Sequence, residues 1–392
     1  MKVEPLVDRF ERRAFTISFE ESSPFTEVYG FVGRTGRTFL QGELLLPDRP
    51  SETLLLFMHP SSALGLLPLP AALAESGHHV MCGGSRYLRN DSALIMEKVA
   101  IDMGAYVRHA KTTLGYRHVV LMGWSGGGSL SVFYQSQAES PTIRSTPAGD
   151  PVDLVAADLM PADAVMSIAA HLSRAESLTE WLDPSVLDEN DPDLRDLDLD
   201  IYAEAPRHEA PFETAFVTRF REAQVQRNRR ITARVEALLD HFRSLGQDRA
   251  ERAFVVHRTM CDVRWLDPGI DPNGRKPNWS YLGDPRVVNM GPAGLARFTT
   301  LRAWLSQWSI DRTNTRTSDT APKITVPALV IENGADDATP SSHPKKIFEL
   351  IGSDDKSFAC IEGASHYYQQ QPEKQREVVN LCETWLKDRG FE

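Results

Sequence analysis

At 392 residues the chain exceeds the usual size of one domain, so it holds either a large domain with a substantial insertion or two domains. Hydrophobic residues make up 41% and charged residues 25%, the balance of a soluble globular protein with ample material for a packed core. With 54 acidic against 43 basic residues the formal charge is −11, which argues against a phosphate-attracting surface and so against nucleic acid as a partner.

The start, MKVEPLVDRFERRAF, carries acidic residues and no continuous apolar stretch, so it does not read as a signal peptide. The pattern before residue 37 does not decide between edge strands and packing elsewhere. From there strand and helix signals alternate. Phe39 to Leu46 reads as a strand ending at Pro47-Asp48, and Thr53 to Met58 (TLLLFM) as a strand buried on both faces. A helix is predicted around Leu66 to Ser76 and a strand over His79 to Cys82. Asp91-Ser92 is placed to cap a helix carrying Leu94, Val99, Met103, Val107 and Ala110 on one side. A strand over His118 to Met122, a glycine-rich turn, a helix from 126 to 138 and a strand over Ala164 to Ala169 follow. This order predicts a doubly wound, mostly parallel α/β sheet, because parallel neighbours need helical crossovers.

Between 172 and 320 the alternation breaks. An acidic stretch over 183 to 200 reads as a solvated loop, since it lacks the glycine turn and ligand spacing of a calcium loop. A long amphipathic helix is predicted from Phe212 to Leu245, its arginines between Arg219 and Arg234 forming a solvated face. A turn-rich segment, a helix over Leu295 to Trp308 and a polar linker, TNTRTSDTAPK, come next. The alternation then resumes: strand Ala328 to Ile331, helix Pro344 to Ile351, strand Ser357 to Ile361, helix Pro372 to Lys387. Core segments at 1–171 and 321–392, with an insertion at 172–320 after the sixth sheet strand, are the simplest account. The four cysteines, Cys82, Cys261, Cys360 and Cys382, lie far apart without metal-ligand spacing and read as reduced, mostly buried thiols. Every apolar run is strand-sized, so no membrane association is expected and the chain reads as cytoplasmic.

The strongest chemical signal is Gly123-Trp124-Ser125-Gly126-Gly127, set where an apolar strand ends and a helix begins. A G-x-S-x-G turn holds its serine on a tight strand-to-helix bend, with glycines where side chains would meet backbone. The exposed serine oxygen and the Gly126 N–H at the helix start can then serve attack on a carbonyl. The pentapeptide lacks the G-K-[ST] ending of a phosphate loop and the spacing of a dinucleotide fingerprint.

With these residues the chain resembles the α/β-hydrolase superfamily, in its serine-nucleophile branch with a large, mainly helical cap. That resemblance implies a Ser, acid, His order, the acid after a late strand and the histidine after the last one. It implies Ser125 as nucleophile and His366, in Glu362-Gly363-Ala364-Ser365-His366, as base. In Glu332-Asn333-Gly334-Ala335-Asp336-Asp337-Ala338-Thr339-Pro340 the family spacing counted back from Pro340 selects Asp336, and counted forward from Gly334 selects Asp337. Asp336 is favoured, because the proline starts the following helix. The loop His59-Pro60-Ser61-Ser62 resembles the family's His-Gly segment with proline in the glycine's place. Proline lacks an N–H, so the second oxyanion donor is expected from Ser61, with Ser62 as the alternative, beside Gly126. His59, Trp124 and His171 are expected to line the substrate.

The implied reaction needs no metal or organic cofactor: an acyl-enzyme on Ser125 formed from a carboxylic ester, thioester or lactone. The insertion offers Trp181, Tyr202, Phe212, Phe216, Phe220, Trp265, Trp279 and Tyr281, which could enclose a bulky or apolar small molecule or simply fill its own core. A C–C bond hydrolase of a diketone-like substrate, with the same triad, is the alternative, and a non-catalytic binding protein on the same scaffold ranks behind both. A homo-oligomer is compatible with the sequence, which does not fix the oligomeric state.

Overall fold

A computed structural model of the chain describes residues 8–21 and 36–391. Eight strands form one sheet: β1 (Glu11–Glu20), β2 (Arg37–Leu46), β3 (Thr53–His59), β4 (His79–Gly84), β5 (His118–Trp124), β6 (Ala164–Ile168), β7 (Ala328–Asn333) and β8 (Lys356–Ile361). Their spatial order is β1-β2-β4-β3-β5-β6-β7-β8. The pairs β1/β2 and β2/β4 are antiparallel and all later pairs are parallel. The undecided N-terminal segment thus supplies an edge strand, its register running from Glu11 opposite Leu46 to Glu20 opposite Arg37. The rest of that segment lies outside the described residues.

Period-two alternation decides what each face of the central strands buries. Leu55 and Phe57 of β3, Val80 of β4, Val120 and Met122 of β5 and Met166 of β6 pack with helices α1 (Pro68–Glu75) and, at the chain's end, Pro372–Lys387. Their neighbours Leu54, Leu56, Met58, Met81, Val119, Leu121 and Val165 face the opposite way, onto α2 (Met96–Thr112) and α3 (Gly126–Glu139). Each such side chain removed from water is worth about 1.5–3 kcal/mol, so the continuous apolar run TLLLFM belongs at the sheet's centre. The helix α2 begins later than its sequence suggests. Asp91 does not cap it: the N-cap position is Ile95, without a side-chain cap, and the Asp91 carboxylate instead meets Arg174 at 2.5 Å.

Between β6 and β7 the chain leaves the sheet. This insertion holds α4 (Arg174–Trp181), the 31-residue α5 (Thr214–Ser244), one short hairpin and one short antiparallel pairing of Ala253–Val255 with Phe298–Thr300. Three expectations fail here. The predicted helix over 295–308 is in fact a short strand, Phe298–Thr300, then one helical turn, then a π-helix, Trp304–Trp308. The polar linker is ordered and folds into two short turns of helix, with Thr317, Thr320 and Ala321 buried. The acidic stretch is only partly solvated: Asp183 and Asp200 are buried beside Arg258, while Val186–Asp188 and Asp191–Arg195 form a hairpin. After β7 come α6 (Ser342–Leu350), β8 and α7 (Pro372–Lys387). No helix among the described residues is long and apolar enough to cross a membrane.

Candidate active site

In an open parallel α/β sheet, ligand sites are built from the loops outside the strands' carboxyl ends. Ser125 directly follows β5, His59 ends β3, Asp336 lies three residues past β7 and His366 five past β8. Four elements distant in sequence therefore deliver their side chains to one edge.

Ser125 sits at φ 55°, ψ −125°, a left-handed conformation that a non-glycine residue adopts only when its surroundings hold it there. Its N–H is tied to the Ile168 carbonyl of β6 at 3.1 Å, and its carbonyl accepts the Gly128 N–H at 3.0 Å. The flanking glycines are required by space. A Cβ at Gly123 would lie 2.6 Å from Gly128 Cα, and one at Gly127 would lie 2.4 Å from the Met58 carbonyl oxygen. The bend can be this tight only because those side chains are absent.

The Ser125 hydroxyl lies 3.2 Å from His366 Nε2, and His366 Nδ1 lies 2.8 Å from Asp336 Oδ2. The other Asp336 oxygen accepts the N–H groups of Ala338 and Thr339 at 2.8 and 2.7 Å. Both His366 and Asp336 are buried, while Ser125 is partly exposed. The acid and histidine loops are clamped together by Asn333, whose amide donates to the Ser365 carbonyl at 3.0 Å and whose oxygen accepts the Tyr368 hydroxyl at 3.0 Å. Asp337 takes no part in this chain. Its backbone carbonyl accepts Trp265 Nε1 at 3.0 Å, and burial with the neighbouring Asp336 charge raises its carboxyl above the usual range.

The Ser61 N–H does not face the serine. It donates to His59 Nδ1 at 3.1 Å, as the Ser62 N–H does at 3.0 Å, so the expected second backbone donor is directed at an imidazole instead. The Gly126 N–H opens α3, where a helix has no internal acceptor for it. Trp124 packs on the site histidine, its ring 4.6 Å from that of His366 and 5.2 Å from that of Tyr367. His171 is buried between Trp181 and His343, with Nε2 3.3 Å from the Thr339 hydroxyl and Nδ1 unpartnered. Burial, then the charges of His343 and His366, push its pKa well down and keep it neutral.

The insertion's aromatics divide into two groups. Phe216 packs at a tilt between Phe212 and Phe220, its ring 5.3 and 5.8 Å from theirs, within a core of the insertion itself. Trp181, Trp265 and Tyr281 form a second cluster, and the Tyr281 ring reaches to 6.3 Å from His366. Trp279 is largely exposed, under Lys276. The insertion also touches the acid loop through Asn273 Nδ2 to the Asp336 carbonyl (2.9 Å) and Gly274 N–H to the Gly334 carbonyl (2.8 Å). The Asn333 clamp escaped the sequence reading because an asparagine in a turn is ordinarily a turn former. Among the described residues no cluster of three or more histidines, cysteines or acids could hold a metal.

No family model matches the chain, and no curated protein matches it. Solved structures do. The α/β hydrolase GrgF from Penicillium sp. sh18 aligns over 95% of this chain and 98% of its own, at 11% identity and a TM-score of 0.50. DcsB, solved with its substrate analogue, aligns over 95% and 99% at 13% identity and a TM-score of 0.48. The esterase domain of a Rhodothermus marinus protein aligns over 96% and 98% at 12% identity and a TM-score of 0.45. With its strand order, its serine on the bend after β5 and its likeness to GrgF over nearly the whole length, the chain has the α/β-hydrolase fold.

Proposed function

We propose that the protein is a serine hydrolase that cleaves a carboxylic ester, thioester or lactone of a small molecule through an acyl-enzyme on Ser125. The observation that carries this reading is the hydrogen-bonded chain Ser125 Oγ, His366, Asp336, built on a serine held at positive φ. As Ser125 Oγ bonds to the substrate carbonyl carbon, its proton passes to His366 Nε2 and the carbonyl π pair moves onto oxygen. Collapse breaks the bond to the alkoxide or thiolate, which takes the proton from His366. Water then repeats both steps to release the acid. Asp336 keeps the His366 Nδ1 proton in place and stabilises the imidazolium. The insertion acts as a cap over residues 172–320, and Trp181, Trp265 and Tyr281 beside the site suit a bulky or apolar acyl or alkyl group.

The test is covalent labelling with a fluorophosphonate, read by intact mass on the native protein and on Ser125→Ala. One adduct on the native chain and none on the variant is the expected result. An adduct of equal yield on both, or none on the native chain with a small sulfonyl fluoride as well, removes Ser125 from the nucleophile's role.

A further inference from the structure

The loop after β3 poses a problem for the proposed reaction. A tetrahedral intermediate is stabilised by at least two aligned donors, and here one backbone candidate is a proline and the next is engaged elsewhere. The imidazole that engages it supplies a donor of its own. His59 Nδ1 accepts the N–H groups of both Ser61 (3.1 Å) and Ser62 (3.0 Å). A ring nitrogen that accepts two N–H bonds carries no proton, so the neutral ring bears its single proton on Nε2.

Nε2 is the part of the ring turned towards the turn after the serine. A Cβ built on Gly126 would lie 2.7 Å from Nε2, against 3.3 Å from Cδ2 and 3.6 Å from Cε1. Gly126 is helical, so glycine is needed here for the approach of the imidazole and not for its backbone angles. Among the described residues Nε2 has no hydrogen-bond partner, and the side chain is partly exposed.

We propose that the side chain of His59, through Nε2–H, is the second oxyanion donor beside the Gly126 N–H, replacing the backbone donor that Pro60 removes. This rests on the hydrolase reading and adds a catalytic residue to it. Burial, followed by the nearby charges of Arg174 and His366, holds the imidazole's pKa down at about 3, so at working pH it donates a hydrogen bond and stays uncharged. The same imidazole braces its loop through Nδ1, so the two roles must be separated by atom.

Asparagine and glutamine at position 59 do this. The Asn oxygen can occupy the place of Nδ1 and accept both N–H bonds, while nothing remains at the place of Nε2. Glutamine returns a donor near Nε2. With 4-nitrophenyl butyrate as probe, His59→Asn is expected to lower kcat by about 10²–10³-fold with KM within about threefold. Affinity for a trifluoromethyl ketone, which forms the tetrahedral adduct, should fall in parallel. His59→Gln should regain at least about tenfold in kcat. If His59→Asn keeps native kcat and native trifluoromethyl ketone affinity, the imidazole is a brace only and the proposal is overturned. Should both variants fail to fold, the tautomer of His59 in the native protein decides by ¹H–¹⁵N histidine correlation. A proton on Nε2 supports the assignment, and one on Nδ1 overturns it. A native protein that neither turns over the ester nor takes the fluorophosphonate overturns the hydrolase reading, and this assignment falls with it.

Discussion

Both oxygens of Asp336 are committed, Oδ2 to His366 and Oδ1 to two backbone N–H groups, so this carboxylate is fixed in orientation and stays an acceptor. Replacing it by asparagine offers an NH₂ group where Nδ1–H must donate, which favours the wrong tautomer of His366. We expect Asp336→Asn to lower kcat by about 10⁴-fold, as the loss of an orienting acid does elsewhere. Asp337→Asn should leave kcat within a few fold, because only its backbone carbonyl is engaged, by Trp265. Steady-state kinetics on the ester probe check both, and the reverse ranking would assign the acid to Asp337. Spacing alone could not choose between these neighbours. Two adjacent residues satisfy two counts, of which the one from Pro340 favoured Asp336, and in the structure the Ala338 and Thr339 N–H groups hold that carboxylate against His366. Ser125 and His366 were legible because each sits where a strand run meets a recognisable turn. The role of His59 was not, since an imidazole's tautomer depends on hydrogen bonds that the order of residues does not record.

At the scale of elements, α5 shows why charge patterns mislead. Thirty-one residues span about 46 Å at 1.5 Å per residue, and its apolar row includes Phe216, Phe220, Ile231, Val235 and Leu239. Its arginines read as a solvated face, and Arg219 and Arg229 do form exposed pairs with Asp198 and Asp311. Arg227 does not: its side chain is fully buried. It grips Glu189 at 2.8 and 2.7 Å and donates to the carbonyls of Asp183 and His257 at 2.9 and 2.8 Å. An arginine with buried partners and one in water are the same letter at the same helical spacing. Arg227→Met leaves Glu189 only the longer contact to Arg230 at 3.6 Å and strips the His257 carbonyl of its guanidinium donor, and should cost up to about 3–5 kcal/mol in urea unfolding. Arg229→Met should change stability by about 1 kcal/mol or less. Equal small effects would mean that water replaces the Arg227 contacts without loss. The π-helix at Trp304–Trp308 was hidden for a related reason: its apolar residues match an α-helical period, while Ser306 is drawn inward to donate to Glu97 and accept the Met96 N–H.

Across the whole molecule the sheet was readable from alternation of strands and helices, and the break in that alternation marked the insertion. How the insertion seats on the sheet was not readable, because its ties are single polar contacts between segments far apart in sequence. One of them titrates. Glu180, on α4, meets Arg264 of the insertion at 2.5 Å and His343 Nε2 of α6, on the sheet side, at 3.1 Å. Burial pushes its carboxyl pKa up, but Arg264 and His343, with Arg221 beyond them, outweigh that and hold it well below the ordinary 4.5. A carboxyl depressed in the folded state is protonated first in the unfolded chain as pH falls. Its stabilising contribution is therefore complete above about 4.5 and drains away as pH drops from there towards the folded value. Urea midpoints measured from pH 7 down to about 3.5 should fall more steeply for the native protein than for Glu180→Gln, whose neutral amide has nothing to lose in that window. At pH 7 the variant should be the less stable of the two. Arg264 remains paired with Asp262 at 2.5 Å, so the loss should stay below that of stranding a buried charge. Parallel curves for the two proteins would mean that Glu180 is screened by solvent, and that the insertion is held to the sheet by its other ties, the pairs Arg174–Asp91 and Arg302–Asp150 and the neutral contacts at Gly334, Asp336 and Asp337.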